Sequence, residues 1–71
     1  MNTEHLKKHL IDISTLNTDE LKQLRQAISV DCMSLELNHN NNRDYIVALR
    51  KSPEYLACIK LHQQIDVRLQ G

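Results

Sequence analysis

Residues 16–38 read LNTDELKQLRQAISVDCMSLELN. Asn17 stands where an N-cap belongs, Glu20 occupies the third helical position from which its side chain reaches back to the cap, and Leu16 and Leu21 bracket the start as a hydrophobic staple. Asp19 and Glu20 also suit the positive end of a helix dipole. From there Leu21, Leu24, Ile28, Cys32 and Leu35 recur at helical spacing on one face, while Lys22, Gln23, Gln26, Ser29 and Glu36 fall elsewhere. The stretch predicts a helix from about Thr18 to about Asn38. Besides its main stripe this helix carries a further one, formed by Ala27, Val30, Met33 and Leu37.

Downstream, Asn38-His39-Asn40-Asn41-Asn42 is a turn, because Asn tolerates left-handed backbone and its amide competes for backbone hydrogen bonds. Asn41 or Asn42 then caps a helix entering at Arg43-Asp44, where Tyr45, Ile46, Val47, Ala48 and Leu49 run nearly all round the cylinder and imply burial on more than one side. Ser52-Pro53-Glu54 is a fresh helix start, which breaks or sharply kinks the segment after Lys51. Beyond it Tyr55, Cys58, His62, Ile65 and Leu69 follow the spacing of a helical seam, widened by Leu61, and Leu56, Ile59 and Val67 make a second stripe. Upstream, Thr3 caps a short helix whose face is Leu6, Leu10 and Ile13 and which Ser14-Thr15 ends.

The 71 residues allow one compact domain, and composition agrees with helix: eleven Leu, one Gly, one Pro and few β-branched residues. The expected fold is all-α, a short N-terminal helix followed by an antiparallel helical hairpin whose second arm is broken or kinked at Pro53. Two stripes on each long helix exceed what one hairpin covers, so a homodimer is expected, two hairpins forming a four-helix bundle with Leu24, Ile28, Leu35 and Ile65 at its interface.

Nine Lys+Arg balance nine Asp+Glu, which removes the charge excess that drives nonspecific binding to nucleic acid or anionic membrane. No apolar run approaches the roughly 20 residues that span a bilayer, and the start of the chain lacks a signal-peptide pattern, so a cytoplasmic protein without a membrane partner is expected. Cys32 and Cys58 are expected as buried thiols: in a hairpin folded about Asn41, Cys32 lies level with Arg50 and well short of Cys58. His5, His9 and Asp12 at i, i+4 and i+7 would share one face of an α-helix and resemble metal ligands in spacing, but they also sit where a surface helix places polar residues. A solvated face and no metal or other cofactor are expected. His62 in the seam is read as a core or interface histidine that burial would favour in its neutral form.

No paired carboxylates converge and the serines have helix-end or helix-surface explanations, so no catalytic residues are expected and the protein is not expected to be an enzyme. The functional expectation is a small regulatory module for protein–protein interaction, an adaptor, inhibitor or regulator of another protein, with Tyr45, Ile46, Leu49, Tyr55 and Leu56 as its contact patch near Pro53. The alternative is DNA or RNA binding: from Arg43 onward five basic residues face three acids with Tyr45 and Tyr55 interleaved, and Arg43, Arg50 and Lys51 would be its phosphate contacts.

Overall fold

The computed structural model describes residues 3–71, and among them every regular element is helical. A 3-10 helix spans Glu4–His9, followed by three α-helices: α1 (Thr18–Asn38), α2 (Arg43–Lys51) and α3 (Pro53–Gln70). The expected capping box opens α1. The Glu20 backbone N–H donates to Asn17 Oδ1 at 2.9 Å and the Asn17 N–H donates to Glu20 Oε1 at 3.1 Å. Asn42 caps α2 by accepting from the Tyr45 N–H at 3.0 Å. The break after Lys51 is real: Ser52 is extended (φ −66°, ψ 130°), as a residue before proline prefers, and Pro53 opens α3 where its missing N–H is not needed.

The core lies between α1 and α3. Leu21, Ile28 and Cys32 from α1, Tyr55, Cys58, Leu61 and Ile65 from α3, Leu6 and Leu49 form one buried cluster, in which the Leu6 carbonyl lies 3.5 Å from Cys58 Sγ. Arg25, early in α1, reaches Asp66, late in α3, at 3.0 Å, and Glu36, late in α1, reaches Arg50 at the end of α2. The two long helices therefore run in opposite directions. Their register differs from the one expected for a fold about Asn41. Because α2 and the Ser52 break intervene, Glu36 neighbours both Arg50 and Tyr55, and Cys32 lies in the same packing layer as Cys58 rather than level with Arg50. Both cysteines are free thiols.

Two further expectations fail for physical reasons. The N-terminal helix is 3-10 and stops at His9, so its buried face repeats every three residues as Thr3, Leu6 and His9, and Leu10 is left exposed. In α2 only Leu49 is fully buried. Tyr45 and Ile46 are half-buried, and Val47 and Ala48 face outward, because α2 packs chiefly against the start of α3.

Candidate interaction surface

The residues expected to contact a partner protein do not form one patch. Leu49 is wholly enclosed and Tyr55 nearly so, both inside the chain's own core. Burial, and next the negative charge of Glu36, push the Tyr55 hydroxyl up to about 12, so it stays neutral in the core. Tyr45 and Ile46 lie half-buried on α2, where the Tyr45 ring packs on His39 with centroids 3.8 Å apart, and Leu56 is exposed on α3. The residues expected at a dimer interface also turn inward. Ile28 and Ile65 are enclosed in the core, and Leu24 and Leu35 lie half-buried against it.

What stays uncovered is the further stripe of α1. Val30, Met33 and Leu37 expose 55%, 57% and 62% of their surface and, with Ser34 and Asn38, line a shallow trough along the helix. Leu56 and Val67 are similarly bare on the outer side of α3. The charges of α1 point elsewhere. Beyond its first two turns each one is engaged within the chain: Arg25 with Asp66, Asp31 with His9 and Lys8, Glu36 with Arg50.

The His5, His9 and Asp12 face does not form. His5 is exposed, Asp12 lies beyond the 3-10 helix with its Oδ1 accepting the Ser14 N–H at 2.9 Å, and that bond, followed by the Ser14 side chain, holds its carboxyl below the ordinary range. His9 is not solvated but 6% exposed, and its Nε2 stands 2.6 Å from Asp31 Oδ2. An ionised carboxylate only accepts, so Nε2 carries the proton of this bond. His9 is the main cause of the lowered Asp31 pKa, with Lys8 3.6 Å away adding to it. Among the described residues, no group of three His, Cys, Asp or Glu side chains is placed to hold a metal ion.

A second tie, absent from the sequence reading, fastens the N-terminal segment to the break before α3. Thr3 Oγ1 lies 2.8 Å from Ser52 Oγ, and both hydroxyls reach Glu54 Oε2, at 3.2 and 3.0 Å. Neither Thr3 nor Ser52 therefore uses its side chain to cap its helix. The carboxyl of Glu54 is held below its usual range first by its own backbone N–H and then by the Ser52 hydroxyl. Lys7 Nζ adds an exposed ion pair to the other Glu54 oxygen at 4.0 Å, and with two hydroxyls bonded to an acceptor-only carboxylate the group makes a structural clasp. The thiols are unsuited to attack. Desolvation pushes Cys32 up to about 11 and raises Cys58, the reverse of an activated nucleophile.

Of the basic trio expected to meet phosphates, Arg43 opens α2 while Arg50 and Lys51 close it. All three are exposed, but Arg50 holds Glu36 through Nε and Nη2 at 3.4 and 3.3 Å. His62 is half-buried beside Asp66, Nδ1 to Oδ2 3.3 Å. No described helix is long and apolar enough to cross a membrane. Comparison with protein-family models, with curated proteins and with solved structures finds no match to this chain.

Proposed function

We propose that this chain is a non-catalytic helical module for protein–protein interaction, acting in the cytoplasm as a homodimeric adaptor, inhibitor or regulator of another protein. In this reading α1 and α3 are the arms of an antiparallel hairpin, α2 is the corner between them, and two hairpins join as a helical bundle. One observation carries it: Val30, Met33 and Leu37 stand more than half exposed on a single helix face. A contiguous apolar patch of this kind is the ordinary mark of a protein contact. The shape supports the same reading, because a chain with a small core gains stability by burying surface against another copy.

Light scattering at micromolar concentration tests it. The expected mass is about twice the 8.3 kDa of one chain, and a folded species of single-chain mass at every concentration overturns the dimer. A salt titration with a generic nucleic-acid duplex separates the function classes. Tight binding that falls steeply with salt and is lost when Arg43, Arg50 and Lys51 become Ala would replace the protein-interaction reading with nucleic-acid binding.

A further inference from the structure

We infer that the outer face of α1 is the seat of a second copy of this chain, the two α1 helices crossing antiparallel about a two-fold axis at Val30. The inference deepens the homodimer reading above and rests on it.

The argument begins with charge. Between Gln23 and Leu37 the outward face of α1 presents Val30, Met33 and Leu37 with the half-buried Ala27 at their edge, together with the uncharged Gln23, Gln26 and Ser34. The charged residues of the same stretch, Arg25, Asp31 and Glu36, are turned aside and paired within their own chain. About 14 residues of helix, some 21 Å at 1.5 Å per residue, therefore offer no charge to a partner. A partner recognised by charge would leave this stretch unused. A second copy fits this stretch: on the two-fold axis Val30 meets its own copy, where a charge would face its like, and the positions to either side meet other uncharged residues of the same face.

Direction follows from the helix ends. A parallel pairing sets Asp19 and Glu20 beside the partner's Asp19 and the partner's Glu20. An antiparallel pairing sets that acidic turn against the Asn38-His39-Asn40-Asn41 segment, which holds no carboxylate, and opposes the two helix dipoles so that the positive end of each lies beside the negative end of the other. With the axis at Val30, Ala27 lies against the partner's Met33, a small residue opposite a long flexible one, and Gln23 covers the partner's Leu37. Spacings of three and four residues along this line are those of a helix–helix seam.

Val30→Asp and Val30→Cys test the inference in the full-length chain, beside Leu56→Cys as a comparison on the outer face of α3. Val30 lies outside the core, so Val30→Asp is expected to keep its helical circular dichroism while its dimer dissociation constant rises at least about 100-fold. Light scattering would then give the single-chain mass. Val30→Cys is expected to form an intermolecular disulfide under a mild oxidant at low micromolar concentration, while Leu56→Cys does not. Should Val30→Asp fail to fold, the crosslink alone decides. A wild-type dimer in which Leu56→Cys crosslinks and Val30→Cys does not overturns the α1 seat and leaves the homodimer standing. A wild-type chain that stays monomeric overturns both.

Discussion

Replacing Asp31 with Ala leaves the buried Nε2–H of His9 without its acceptor, and an orphaned buried donor costs about 1–3 kcal/mol. Urea unfolding near neutral pH measures the loss. The same pair sets a pH dependence whose sign is fixed by the Asp31 carboxyl, lowered in the fold first by the His9 hydrogen bond and then by the nearby charges of Lys8 and His9. Its contribution is complete above the ordinary aspartate pKa and is lost as pH falls through the lowered folded value. The urea midpoint of the wild type should therefore drop on acidification more than that of Asp31→Ala. At the alkaline end the thiols act in the other direction. Burial first, and Cys58 and the nearby carboxylates next, raise Cys32 from 9.0 to about 11, so the unfolded chain ionises it earlier and stability declines as pH rises past the ordinary thiol range. Iodoacetamide near neutral pH is expected to label neither cysteine in the folded chain and both in denaturant. Rapid labelling of Cys32 without denaturant would contradict its place in the core.

At the scale of elements, the capping signals were the legible part of the sequence. Asn17, Glu20, Asn42 and Pro53 mark α1, the start of α2 and the start of α3 where the structure has them, because a cap depends on residues within one turn of itself. Asn17→Ala is expected to cost about 1 kcal/mol by urea unfolding. The N-terminal segment was misread because Leu6, Leu10 and Ile13 satisfy an α-helical period, whereas docking on α1 and α3 selects the three-residue period of Thr3, Leu6 and His9. The Ser52 side chain has a role that is hidden for the same reason. Its cap position could be read locally, but the bond to Thr3 spans 49 residues and has no local signature. Ser52→Ala is expected to cost about 0.5–1.5 kcal/mol by urea unfolding, since it removes the Ser52 bonds to Thr3 and Glu54 while Thr3 keeps its bond to Glu54. The inward turn of Ile28 and Ile65 shows a similar limit. Periodicity identified the apolar stripes of α1 and α3, but which stripe faces the chain's own partner helix and which faces out depends on the register imposed by α2.

The whole molecule is a rod of 37 × 17 × 16 Å with a Cα radius of gyration of 12.8 Å, against about 11 Å for a compact domain of this length. Its accessible surface is 5028 Å², against about 4,600 Å² for a monomer of this mass. A long thin shape leaves one side of each long helix bare, and for α1 that side is the charge-free one. If burial of that side supplies part of the folding free energy, unfolding must separate two chains, and its midpoint must depend on how dilute they are. At about 0.7 kcal/mol per residue, two chains of this length absorb about 100 kcal/mol on melting, so each tenfold dilution should lower Tm by roughly 5 °C. Calorimetry or circular-dichroism melts from micromolar to hundreds of micromolar measure that slope. A Tm that does not move over this range would mean that the rod is stable alone and that its bare α1 face is kept for a different protein.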